Sequence, residues 1–132
     1  MADEKKCKDR VKVRYDGRME SLRRIVKADN EGKPDPDYGP LNEYGLSFDY
    51  VAPGTFTNQR EGYFRYQLSW GGPSDEFRFY TGPELKPHRI EYWFLDWYDG
   101  AHITLEGEDF DFMADLFDGF YPQGAYDKSK EG

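Results

Sequence analysis

"YFRYQLSWGGPSDEFRFYT", residues 63–81, decides the fold. In its first half Phe64, Tyr66, Leu68 and Trp70 alternate with Tyr63, Arg65, Gln67 and Ser69. A period of two puts successive side chains on opposite faces of an extended chain, so the run reads as a half-buried strand. Gly71, Gly72 and Pro73 interrupt it. Glycine reaches the positive φ of a tight reversal and proline presets its own φ at about −65°. "EFRFYT" (76–81) then resumes the alternation with Phe77 and Phe79 facing in. The stretch predicts an antiparallel hairpin. A phosphate-binding glycine loop is the competing reading, but no helical pattern follows to supply the N-terminus such loops use.

Toward the C-terminus, "GPELKP" turns the chain again and "HRIEYWFLDWYD" (88–99) is apolar on both faces. Ile90, Tyr92, Phe94 and Tyr98 share one face; Trp93, Leu95 and Trp97 share the other. Such a strand is expected to be central or covered on each side. Asp99-Gly100 predicts a two-residue hairpin loop into "AHITLE" (101–106). That register sets His102 opposite Trp97, far from His88. "GEDFDFMADLFDGFY" (107–121) predicts a helix whose core stripe is Phe110, Met113, Ala114 and Phe117, widened by Phe112 and Leu116. Glu108 and Asp109 fall in its first turn, where the helix dipole favours acids.

Toward the N-terminus, "LSFDYV" (46–51) alternates as a strand between two loops, 32–45 and 52–62. Met19, Leu22, Ile25 and Val26 recur at helical spacing between Asp16, a candidate N-cap, and Gly32, predicting a helix over about 18–29. A strand over 22–28 is the competing reading. "RVKVRY" (10–15) alternates and predicts a short strand. Residues 1–9 and 122–132 are expected to be flexible tails. The sum is one α+β domain over 1–132: an antiparallel β-meander of four to five strands with a C-terminal helix and an N-terminal helix packed on it.

Ten Phe, eleven Tyr and three Trp supply an aromatic-rich core despite an apolar fraction of only 37%. No stretch of about 18 apolar residues is present to span a membrane. The opening "MADEKKCKDRVKV" holds no apolar leader core, and a cytoplasmic protein is expected. Cys7 is the single cysteine, so no internal disulfide forms. Neighbouring lysines would lower its pKa, although an unreactive terminal thiol is the plainer reading.

Charge is the least ordinary feature. The net charge of −8 divides into +4 over residues 1–33 and −12 over 34–132, and no Lys or Arg occurs between Arg89 and Lys128. Glu108, Asp111, Asp115 and Asp118 are separated by 3, 4 and 3 residues, which aligns them on one helix face with about 5 Å between neighbours. The plain reading is a solvated face. Solvated faces usually mix signs, however, because like charges at these spacings repel. A single-sign field steers basic partners, and a regular row of carboxylates imitates a phosphate backbone. The expected partner is therefore a basic nucleic-acid-binding protein, and the expected contact set is Asp96, Trp97, Tyr98, Asp99, Glu106, Glu108, Asp109, Asp111, Asp115 and Asp118, with exposed aromatics as anchors.

No nucleophile elbow, Walker, dinucleotide, zinc or EF-hand signature is present, and no cofactor is expected. "DNEGKPDPD" (29–37) has the composition of a calcium loop without its closing Glu. Two alternatives stand beside the inhibitor reading. The basic segment Lys5, Lys6, Lys8, Arg10, Lys12, Arg14, Arg18, Arg23, Arg24 and Lys27 would itself contact nucleic acid. Or Asp96, Asp99 and Glu106 would serve as acid and base groups of an enzyme.

"FRYQLSWGGPSDEFRFY" and "EYWFLDWYDGAHITLEGEDF", within about residues 44–120, resemble small uncharacterised proteins of plasmids and other bacterial mobile elements. In size, acidity and lack of enzyme motifs the chain is similar to anti-CRISPR and antirestriction proteins. That resemblance implies a stoichiometric inhibitor of a nucleic-acid-targeting defence complex. The basic first third departs from a uniformly acidic mimic.

Overall fold

The computed structural model describes residues 6–130. Five strands form one antiparallel sheet in the order β1-β2-β3-β4-β5, each strand beside its sequence neighbours. They are β1 (Ser47–Val51), β2 (Tyr63–Ser69), β3 (Ser74–Thr81), β4 (Pro87–Asp96) and β5 (Asp99–Thr104). Helix α1 (Cys7–Asn30) precedes the sheet, with a short α2 (Leu41–Tyr44) between them, and α3 (Gly107–Asp118) and α4 (Pro122–Ser129) follow it. The α+β meander read from the sequence is the architecture observed. Among the described residues no helix is long and apolar enough to cross a membrane.

The opening hairpin is present: Tyr66 pairs with Phe77 and Phe64 with Phe79. Gly71 takes a φ of 105° in the turn, a conformation that favours glycine. Phe64, Tyr66, Leu68, Phe77, Phe79, Ile90, Tyr92 and Phe94 are buried on the face covered by the helices. Each side chain of that kind, fully buried, contributes roughly 1.5–3 kcal/mol of transfer free energy. The core is largely aromatic, as the composition implies. Phe117 of α3 seats among Phe64, Phe79 and Phe48, with ring centroids 5.2, 4.8 and 5.7 Å away.

Four expectations are corrected. First, residues 10–15 are not a strand but part of α1, a helix of 24 residues. Its buried apolar residues Cys7, Val11, Tyr15, Met19, Leu22, Ile25 and Ala28 recur every three or four positions, which is one helical stripe, with Ser21 buried beside it. Val13, the middle residue of the apparent alternation, is 73% exposed. Second, the β4–β5 loop is Trp97-Tyr98, since Asp96 pairs with Asp99. His102 consequently faces Trp93, not Trp97, and the two rings stack at 4.5 Å. Third, α3 stops at Asp118, short of Tyr121, with Gly119 as the cap that its place in the sequence predicts. Fourth, residues 122–129 form α4, opened by Pro122 after a left-handed Tyr121, and Tyr126 packs edge-on against Tyr50 at 5.0 Å. In the expected N-terminal tail, Cys7–Asp9 belong to α1, while residues 1–5 lie outside the described residues, as do 131–132.

Candidate functional site

The basic first third and the acidic remainder meet inside the molecule. Arg10 of α1 pairs with Asp96 at 2.6 Å. Arg18 grips Asp75 through Nε at 2.7 Å and Nη2 at 3.0 Å. Arg23 pairs with Asp109 at the start of α3, and Tyr15 donates its hydroxyl proton to the same carboxylate. Arg24 pairs with Asp37 at 2.6 Å and lies 3.5 Å from the buried Asp35, whose carboxylate also accepts the N–H groups of Asp37 and Tyr38. The calcium-like composition of 29–37 thus serves a loop closed on Arg24. Asp99 accepts the N–H of Cys7 at 2.7 Å, so a carboxylate from the β4–β5 hairpin caps the helix 92 residues earlier in the chain.

These contacts set the protonation behaviour of the α1 clasp. Burial would raise Asp75 and Asp109. Hydrogen bonds from Arg18, Ser69 and Tyr92 to the first, and from Tyr15 and Arg23 to the second, outweigh it and hold both below the ordinary carboxylate value. The Cys7 N–H likewise lowers Asp99. A carboxylate with a lowered folded-state pKa binds its proton more tightly when unfolded. Its stabilising effect is therefore complete above the unfolded value of about 3.9 and is lost as pH falls through the lower folded value. Urea midpoints followed by circular dichroism are expected to show no loss from these groups between about pH 5 and 7 and a steep fall below about pH 4. A midpoint already declining from pH 7 to 5 would contradict this assignment. The Cys7 thiol is buried, and burial with the nearby Asp99 pushes its pKa up, opposite to the effect expected of the neighbouring lysines.

The ten residues expected at a partner surface fall into three groups. Asp96, Asp99 and Asp109 are engaged with α1, as described. Trp97 and Tyr98 form the hairpin tip, 90% and 101% exposed, with Trp97 at a φ of 58°. Trp70, in the neighbouring β2–β3 turn, is also exposed. Glu106, Glu108, Asp111, Asp115 and Asp118 are exposed, and among the described residues none of them makes a salt bridge or side-chain hydrogen bond. From Asp99 to Thr104 the strand advances about 17 Å at roughly 3.3 Å per residue. The hairpin tip and Glu106 therefore sit at opposite ends of β5. The structure does not bring Asp96, Asp99 and Glu106 together into one acid–base site.

The basic segment is similarly divided. Arg10, Lys12, Arg18, Arg23 and Arg24 have carboxylate partners, and Arg14 lies over the Phe94 ring at 5.5 Å. Lys6, Lys8 and Lys27 are exposed, and Lys5 lies outside the described residues. Part of the basic charge of α1 is thus neutralised by carboxylates, while Lys8, Arg14 and Lys27 stay exposed without a salt-bridge partner among the described residues.

The sequence reading passed over the sheet face turned away from the helices. Its cross-strand rows run Arg65–Arg78–Glu91 and Gln67–Glu76–Trp93–His102, beside Tyr80–Arg89, whose tyrosine ring packs 5.6 Å from that of Tyr63. Arg78 lies over both Trp93 and Tyr63, 4.3 and 4.9 Å from the ring centroids, and pairs with the buried Glu76 at 2.7 Å. Arg89 covers Tyr80 at 3.9 Å and pairs with Glu61 and Glu91. The loop after β1 lies along this face and borders an open cavity of about 500 Å³. The signal for it was the doubly apolar β4, whose Trp93 required a cover.

No protein-family model, curated protein or solved structure matches the chain.

Proposed function

We propose that the chain is a stoichiometric protein inhibitor that engages a basic, nucleic-acid-binding partner through the outer face of α3. The observation that carries this reading is the contrast in pairing. Arg10, Arg18 and Arg23 of α1 and Arg78 of the sheet are matched to carboxylates of the same chain, while Glu108, Asp111, Asp115 and Asp118 stay exposed and unmatched among the described residues. They span about 15 Å at roughly 1.5 Å rise per residue. Folding alone gives no reason for such a row, because like charges three and four residues apart cost roughly 0.2–0.5 kcal/mol per pair. A row of fixed carboxylates suits a channel lined by Lys and Arg, and its field accelerates encounter with one.

Trp97 supports an interface role of its own. A large aromatic residue held almost fully exposed in a left-handed conformation strains the turn that glycine would form at less cost. Exposed Trp and Tyr residues are frequent anchors of protein interfaces. With Trp70 and Tyr98 it forms a second contact region at the far end of the sheet.

The test is a fourfold amide variant, Glu108→Gln with Asp111→Asn, Asp115→Asn and Asp118→Asn, compared with the unaltered chain. Capture from a bacterial lysate at low salt is expected to enrich nucleic-acid-binding proteins, displaced by added duplex DNA and by high salt. The variant is expected to lose that enrichment while melting at the same temperature or slightly higher, because the four positions lie away from buried Met113, Leu116 and Phe117. Equal capture by both chains, or the absence of any DNA-displaceable partner, would overturn the proposal.

A further inference from the structure

The cavity on the helix-free face has the construction of a ligand site, and we infer that it binds a small molecule combining a planar aromatic ring with one oxyanion, either carboxylate or phosphate. Its volume of about 500 Å³ is suited to a compact ligand. Phe56 supplies an exposed ring, Tyr63, Tyr80 and Trp93 form a wall whose rings already carry Arg78 and Arg89, and Arg60 and Arg78 supply cations.

Arg78 carries the argument. Two aromatic faces and the Nε contact with Glu76 fix its guanidinium in place. Its terminal nitrogens make no hydrogen bond among the described residues, and the side chain remains 17% exposed at the cavity wall. A guanidinium held by its Nε edge and its faces presents the remaining N–H groups as a preorganised fork, the geometry that receives a carboxylate or phosphate. Arg60, exposed at the rim, has no salt-bridge partner among the described residues, whereas the adjacent Glu61 is taken up by Arg89. One fixed and one exposed cation on the same cavity wall suit a single oxyanion. Phe56, in the bordering loop, is 51% exposed although it lines the cavity, and it provides a ring for a planar ligand to lie against. A polyanionic strand is disfavoured by the net charge of −8 and by the loop along the face. This site lies on the opposite side of the sheet from α3 and does not depend on the partner proposal.

The experiment uses the full chain with Trp70→Phe and Trp97→Phe, which leaves Trp93 as the sole tryptophan reporter. Its emission, excited at the red edge of the tryptophan band where adenine does not absorb, is titrated with adenosine 5′-carboxylate, a ring with a carboxylate, and with adenosine 5′-monophosphate, the same ring with a phosphate. Adenosine and inorganic phosphate are titrated separately. At least one combined probe is expected to saturate, with its isolated parts binding about tenfold or more weakly, and the better probe identifies the oxyanion. Arg78→Lys retains a charge for Glu76 but removes the fork and is expected to weaken binding about tenfold. Arg60→Gln and Phe56→Ala alter exposed side chains and are expected to weaken it severalfold with an unchanged melt, so the inference remains testable if Arg78→Lys destabilises the fold. Failure of both combined probes to saturate would overturn the inference. So would binding unaffected by Arg60→Gln and Phe56→Ala, or equal binding by inorganic phosphate alone.

Discussion

Asp75→Ala is expected to lower the unfolding free energy by about 3–5 kcal/mol, the range found when one partner is removed from a buried ion pair. Asp75 is only 3% exposed and joins three elements. Its carboxylate accepts two hydrogen bonds from Arg18 of α1, one from the Ser69 hydroxyl of β2 and one from the Tyr92 hydroxyl of β4. Alanine leaves the Arg18 charge without its partner and the buried Tyr92 hydroxyl without an acceptor, so the loss combines electrostatic and desolvation costs. Asp75→Asn keeps the shape but not the charge, and an amide cannot accept from every donor present. It should fall between alanine and the unaltered chain. Urea unfolding measures both variants, and a double-mutant cycle with Arg18→Ala isolates the pair. A loss under about 1 kcal/mol for Asp75→Ala would show that the clasp contributes little. A domain of this size has only about 5–15 kcal/mol in total, so the expected loss is a substantial share.

The period-two pattern already contained half of this result. Asp75, Phe77 and Phe79 stand two residues apart, so the alternation that turns the two phenylalanines inward also turns the carboxylate inward. Its counterion, 57 residues earlier, is invisible to any local pattern. The same limit explains the error at α1. Val11 and Tyr15 belong equally to an alternation through Val13 and to a four-residue stripe from Cys7 to Met19. Gly17, a poor helix former, sits where that stripe had to be extended. Only packing against β4 and β5 separates the two patterns.

The hairpin shift has a tertiary cause of a related kind. Asp99-Gly100 is a favourable local turn pair, but Asp99 instead begins β5 and caps α1, which moves the loop to Trp97-Tyr98. The acidic field was legible as a sum and not as a site. Composition located the carboxylates, while the division between those that fasten α1 and those left on α3 required the fold. The cavity on the other sheet face was legible only through Trp93. Arg78 reads as an ordinary outward residue of an alternating strand until its two aromatic neighbours, from β2 and β4, are brought alongside.

Phe117→Ala is expected to cost about 3–5 kcal/mol, the usual range for truncating a large aromatic side chain in a packed core. Phe117 is fully buried, and its ring contacts Phe48, Phe64 and Phe79 of three adjacent strands. Collapse around the missing ring is limited because these neighbours are themselves fixed by strand pairing, so much of the void should persist. Chemical unfolding of Phe117→Ala beside Asp115→Asn gives the informative comparison. The two positions lie two residues apart on opposite sides of α3, one buried and the other exposed without an ion-pair partner among the described residues. Asp115→Asn is expected to change stability by less than about 0.5 kcal/mol. If both variants destabilise equally, the outer face contributes to folding and its charge needs no partner. If only Phe117→Ala does, folding rests on the inner face and leaves the acidic row free to act in recognition.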